Sequence, residues 1–127
     1  MVGIVIVSHS SKVSEGIVDI IKQMTNEDIP IVSAGGTTNQ GIGTDAIKIK
    51  EAIEKVDSGK GVLIFVDLGS AVLSSETAID FTDVSNVEIV DAPIVEGALA
   101  AAVKSTITDS IEEIKKSAFE SKTINKI

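Results

Sequence analysis

A single histidine, His9, lies in the run Ser8-His9-Ser10-Ser11, and the chain has no Cys, Trp, Tyr or Arg. His9 is therefore the one side chain suited to nucleophilic or acid–base work near neutral pH. An ordinary imidazole titrates at about 6.5, so a substantial fraction is neutral at neutral pH, with one ring nitrogen free to attack. Capture of a phosphoryl group by that nitrogen is the chemistry such a residue supports. A carboxylate bonded to the other ring nitrogen would fix tautomer and orientation. Asp67, at the end of the apolar run VLIFV and just before Leu68-Gly69-Ser70-Ala71, is the candidate for that role.

A transferred phosphoryl group also needs donors. Without arginine there is no bidentate guanidinium capture and no arginine finger. Backbone N–H groups and hydroxyls at helix N-termini must serve instead, where the helix dipole favours an anion by roughly 0.3–1 kcal/mol per interaction. Gly69, Ser70 and Ala71 offer one such end, with Ser70 adding a cap hydroxyl, and Ser10 and Ser11 offer a second. Gly43 and Thr44 would add a third if the long glycine-rich loop folds over the site. Gly35, Gly36, Gly41 and Gly43 read as backbone geometry, since no Gly-Lys-Ser/Thr phosphate loop follows them.

The elements that must position these residues follow from apolar runs and helical periodicity. Strand candidates are residues 2–8, 29–33, 62–66 and 87–90. Between the first two, Val13, Ile17, Ile20, Ile21 and Met24 share a helical face that Ser11 can cap. The polar run 34–43 reads as a loop, after which Thr44 caps a second helix with Asp45 in its first turn and Ala46, Ile49, Ile53 and Val56 as its stripe. A third helix covers 71–81. Pro93 opens a fourth, which carries the small-residue run Gly97-Ala98-Leu99-Ala100-Ala101-Ala102. Asp109 and Glu112 read as a capping box for a last helix ending near Phe119, with a tail frayed from about residue 120.

Alternating strands and helices without a linker or repeat predict one α/β domain over 1–127. The expected fold is flavodoxin-like, an open parallel sheet of order 2-1-3-4 with helices on both faces. That order creates a switch point between the first and third strands, bringing the 8–11 and 67–71 loops together.

Composition narrows the partners. The chain has 127 residues, 43% hydrophobic and 24% charged, with a formal net charge of −8, which argues against nucleic acid and anionic membrane surfaces. Residues 2–7 are too short for a membrane span or a signal core, so a cytoplasmic protein is expected. No cysteine means no disulfide or thiolate chemistry, and no metal ligand set is expected.

Four segments together, VIVSHSS (5–11), GIGTD (41–45), DLGSAVLSSET (67–77) and APIVEGALAAA (92–102), resemble a known family. It is the phosphotransferase subunit of the phosphoenolpyruvate-dependent dihydroxyacetone kinases, in the mannose-type EIIA fold group of the bacterial sugar phosphotransferase system. The likeness runs from Met1 to about Val103. It implies that His9 is transiently phosphorylated by the phosphocarrier protein HPr. The phosphoryl group would then pass to ADP held on the kinase's nucleotide-binding subunit, so that ADP and ATP belong to that partner and no cofactor to this chain. It also implies that Asp67 supports the histidine, that Ser70 and its flanking amides hold the anion, and that the protein is a homodimer. The run 97–102 is open to use either in that interface or in the core. Some relatives carry further phosphocarrier domains, so a separate donor protein is expected here.

Other readings of the same residues are an interaction module in which His9 is only a cap, a metal chelatase-like site, and a receiver-like domain phosphorylated on Asp67. The chelatase reading lacks a second histidine, and the receiver reading lacks an acid near Ser8–Ser11 for Mg²⁺.

Overall fold

The computed structural model describes residues 1–25 and 28–127. Its elements are β1 (Gly3–Val7), α1 (Ser11–Thr25), β2 (Ile31–Ser33), α2 (Ala46–Val56), β3 (Val62–Val66), α3 (Ser70–Phe81), β4 (Val87–Val90), α4 (Ile94–Ser105) and α5 (Ile111–Glu120), closed by a 3₁₀ turn, Ser121–Thr123. The four strands form one sheet in the order β2-β1-β3-β4. Every pairing is parallel, with Ile4 beside Ile31 on one side and Leu63 on the other, and Ile64 beside Ile89. The winding is the expected one.

Strand alternation sends side chains to two cores. Ile4, Ile6, Leu63 and Phe65 pack under α1, α4 and α5, whereas Val5, Val7, Val62 and Ile64 pack under α2 and α3. Both faces are covered, so the central strands read as continuous apolar runs. Each fully buried aliphatic side chain contributes about 1.5–3 kcal/mol. The sheet is thus a rigid platform whose C-terminal edge carries the 8–11 and 67–70 turns.

Several local expectations are corrected. β2 begins at Ile31, one residue after Pro30, because proline has no N–H for the ladder; its carbonyl still accepts from the Ile4 amide at 2.9 Å. In α1 the buried line is Ser14, Ile17, Val18 and Ile21, while Val13, Ile20 and Met24 are 49%, 46% and 60% exposed. The apolar arc of this helix is wider than the face that meets the sheet. Ser14 can be buried because its hydroxyl donates to the Ser11 carbonyl at 3.1 Å.

The caps fall one residue from the predicted ones. Ser10, not Ser11, caps α1, its hydroxyl accepting from the Val13 amide at 3.3 Å. Asp45, not Thr44, caps α2, accepting from the Ile47 and Lys48 amides. Ser110, not Asp109, caps α5 through the Glu113 amide. α3 starts at Ser70, and the residue before it, Gly69, offers no side-chain cap. Beyond residue 120 the chain makes a 3₁₀ turn, Ser121–Thr123. Ser121 is buried, and Lys122 and Lys126 reach Asp91 and Glu96 at 2.9 and 2.7 Å.

Four residues of the small-residue run pack into the core, while Leu99 and Ala100 are half-buried. Gly97, Ala98, Ala101 and Ala102 are buried, and a Cβ on Gly97 would lie 2.7 Å from the Ala92 methyl. Among the described residues no helix is long and apolar enough to cross a membrane.

Candidate active site at the β1 and β3 ends

Parallel pairing of β1 with β3 aligns Val7 with Val66, so the next residues of each chain segment, Ser8-His9 and Asp67, emerge side by side. Ser8 is 1% exposed, and a hydroxyl buried that deeply must find a partner. It donates to Asp67 Oδ2 at 2.9 Å and accepts from the Ser10 amide at 3.1 Å. The His9 amide donates to the same Oδ2 at 3.0 Å. On the other carboxylate oxygen, Oδ1, the Leu68 amide donates at 2.8 Å and His9 Nδ1 lies at 3.0 Å. One carboxylate thus fixes the backbone and the ring of His9 together.

Burial is the largest influence on Asp67 and opposes its ionisation. The bonds from the His9 amide, the His9 ring, the Ser8 hydroxyl and the Leu68 amide together outweigh it and hold the carboxyl below its ordinary value. An ionised carboxylate only accepts, so the hydrogen of this contact sits on Nδ1. In the neutral ring the opposite nitrogen, Nε2, is an acceptor, and the Ser70 hydroxyl lies 2.8 Å from it. The Ser70 hydroxyl therefore serves the ring rather than capping its own helix. Both nitrogens of His9 are held, while its side chain keeps 23% of its surface open to solvent.

The expected anion donors divide into free and engaged groups. Among the described residues, the amides of Ser11, Gly69 and Ser70 have no protein acceptor. The Ser10 amide is taken by Ser8, though its hydroxyl hydrogen is not. The Ala71 amide is spent on the Leu68 carbonyl at 3.0 Å. Gly43 donates to the His9 carbonyl at 2.8 Å, and Thr44 Oγ1 lies 2.6 Å from Ser74 Oγ. The Gly43 amide and the Thr44 hydroxyl thus grip the histidine backbone and α3, while the Thr44 amide, among the described residues, has no protein acceptor.

Three participants escaped the sequence reading: Ser8, the Leu68 amide and Ser74. Ser8 carried a usable signal, a polar residue ending a strand buried on both faces. Leu68 and Ser74 carried none, because an amide's direction and a hydroxyl's partner are tertiary facts. Asp67 is surrounded by donors and has no second acid beside it in this network. Among the described residues no three His, Cys, Asp or Glu side chains group together.

Comparison with known proteins identifies the family of the chain. Residues 3–115 match the family described as PTS system fructose IIA component, EIIA-man. The phosphoryl donor subunit DhaM of PEP-dependent dihydroxyacetone kinase 2 from Listeria innocua is 43% identical over 117 residues, covering 90% of this chain and 94% of that protein. The DhaM phosphoryl donor subunit of Escherichia coli K12 is 41% identical over 120 residues, 90% of this chain but 25% of the longer relative. A solved protein of unknown function, EF1359, superposes with a TM-score of 0.84 at 42% identity, covering 94% of this chain and 93% of its own. The chain belongs to the EIIA-man family of phosphotransferase-system components and, within it, resembles the DhaM phosphoryl donor subunits.

Proposed function

We propose that this protein is a phosphohistidine relay. His9 takes a phosphoryl group from HPr and passes it to ADP bound on the nucleotide-binding subunit of a dihydroxyacetone kinase. The observation that carries the reading is the two-sided hold on the imidazole, with Asp67 at Nδ1 and Ser70 at Nε2. The names of the relatives supply the pathway, and the absence of arginine and of a phosphate loop in the sequence favours leaving the nucleotide to a partner.

In this reading the Nε2 lone pair attacks phosphorus as the bond to the donor's nitrogen breaks. The hydrogen on Nδ1 stays in place, so the phosphorylated ring carries positive charge directly beside the Asp67 carboxylate. The Ser70 hydroxyl turns from the nitrogen to a phosphoryl oxygen. The Gly69, Ser70 and Ser11 amides and the Ser10 hydroxyl are the further donors. Transfer to ADP reverses the same steps. A cytoplasmic homodimer belongs to the reading, and within the 97–102 run the half-buried Leu99 and Ala100 keep surface for its contact.

Incubation with phosphoenolpyruvate, enzyme I and HPr tests the proposal. The expected product is an acid-labile, base-stable adduct that is lost in His9→Ala and discharged by ADP with the nucleotide-binding subunit. Labelling that persists in His9→Ala, or a base-labile, Mg²⁺-dependent adduct, refutes it.

A further inference from the structure

The loop from residue 34 to residue 45 joins β2 to α2 and crosses the end of β1. It is tied to itself: the Thr37 amide donates to the Gly41 carbonyl at 3.0 Å, and the Gly41 amide to Thr37 Oγ1 at 2.9 Å. Thr38 donates its hydroxyl to the Asp45 carboxylate at the start of α2. This closed unit then reaches the site at three points. The Gly36 amide donates to the Ser8 carbonyl at 3.1 Å and the Gly43 amide to the His9 carbonyl at 2.8 Å. The third point is the hydroxyl pair Thr44 Oγ1 and Ser74 Oγ, 2.6 Å apart.

Gly43 has φ +142, a conformation open to glycine at little cost, and this is what lets its amide approach the histidine backbone. Among the described residues the Thr44–Ser74 pair is the sole hydrogen bond between this loop and α3. Ser74 stands four residues after Ser70, on the same face of α3 one turn along. The helix face that sets Ser70 against Nε2 is therefore also the face that anchors the loop. His9 is held from Gly43 at its carbonyl, from Asp67 at its amide and Nδ1, and from Ser70 at Nε2. The hydroxyl pair joins two of those grips.

We propose that the Thr44–Ser74 hydroxyl bridge is a positioning device for phosphoryl transfer, holding the loop to α3 so that Gly43 and Ser70 grip His9 in register. Neither hydroxyl touches the ring; both act through neighbours. The inference rests on the reading of His9 as the phosphoryl acceptor. Its scale is that of one ordinary net hydrogen bond, a population ratio of about ten-fold.

The test uses the full chain as Thr44→Val, Thr44→Ser and Ser74→Ala, each checked for native folding by its melting transition. Three quantities are read: exchange of the Gly43 amide, the ring-nitrogen chemical shifts of unphosphorylated His9, and the rate of phosphorylation by phospho-HPr. Thr44→Val and Ser74→Ala should speed Gly43 exchange about ten-fold, move the ring away from a single Nδ1–H tautomer, and slow phosphorylation comparably. Thr44→Ser should restore all three. Unchanged exchange and ring shifts in folded Ser74→Ala overturn the proposal, as does a Thr44→Ser as defective as Thr44→Val. Should Thr44→Val not fold, Ser74→Ala decides alone. A wild-type chain that takes no label refutes the relay reading instead, and the exchange and tautomer measurements still decide whether the bridge positions His9.

Discussion

Replacing Asp67 by alanine removes a single acceptor on which four donors converge: the His9 and Leu68 amides, the Ser8 hydroxyl and His9 Nδ1. Hydrogen bonds to a charged group are worth about 1.5–3 kcal/mol each, but they do not sum here. The carboxylate is only partly buried, with 19% of its side-chain surface exposed, so water can replace part of what is lost. Burial of the carboxylate also costs free energy that the variant recovers. A net stability loss of about 1–3 kcal/mol is expected, well short of unfolding a typical domain. The kinetic effect is larger, because only the ring bond sets the tautomer. Its loss of about 1.5–3 kcal/mol corresponds to a fall of about 10- to 150-fold in the equilibrium constant favouring the ring with Nδ1 protonated and Nε2 facing the incoming phosphoryl group. Single-turnover quench experiments with phospho-HPr read this directly, and urea denaturation reads the stability. A folded Asp67→Ala protein phosphorylated within about two-fold of the wild-type rate would refute the orienting role and the tautomer argument with it.

Two further consequences follow from the same network and from its packing. Because hydrogen bonding holds the Asp67 carboxyl below its ordinary value, its stabilising contribution is fully present above the unfolded carboxylate value of about 3.9 and is lost as pH falls through the lower folded value. The stability gap between wild type and Asp67→Asn, measured by urea unfolding at several pH values, should therefore narrow on acidification below about pH 4; a gap that is constant or widens contradicts this. A Cβ on Gly35 would meet Ser14 Oγ at 2.2 Å and the Ser10 carbonyl at 2.6 Å. Gly35→Ala should cost about 1–3 kcal/mol and also slow phosphorylation, since the crowded carbonyl belongs to the residue after His9. Unaltered stability would show that the β2–α2 loop yields more easily than this packing allows.

The fold was legible because each strand is a short apolar run and α1 and α2 carry a periodic apolar stripe. Strand order then did the rest for the site: with β1 beside β3, His9 and Asp67 had to meet. Finer details were not legible. Ser10-Ser11, Thr44-Asp45 and Asp109-Ser110 each offer two adjacent capping oxygens, and backbone dihedrals, not residue type, choose between them. The exposed Val13, Ile20 and Met24 could not be told from the buried Val18 and Ile21, since periodicity marks an apolar arc but not which part of it the sheet covers. The allocation of amides was also hidden. Gly43 and Ala71 lie in motifs that look like anion cradles, yet their N–H groups are spent on the carbonyls of His9 and Leu68. Whether a backbone donor is free depends on the carbonyl packed against it.

The most direct measurement on the central claim is phosphorus–nitrogen NMR of the isotope-labelled chain after phosphorylation. The network predicts phosphorus bonded to Nε2 of His9, with Nδ1 still protonated and hydrogen-bonded to Asp67. Phosphorus on Nδ1, or on the Asp67 carboxylate, would contradict the account.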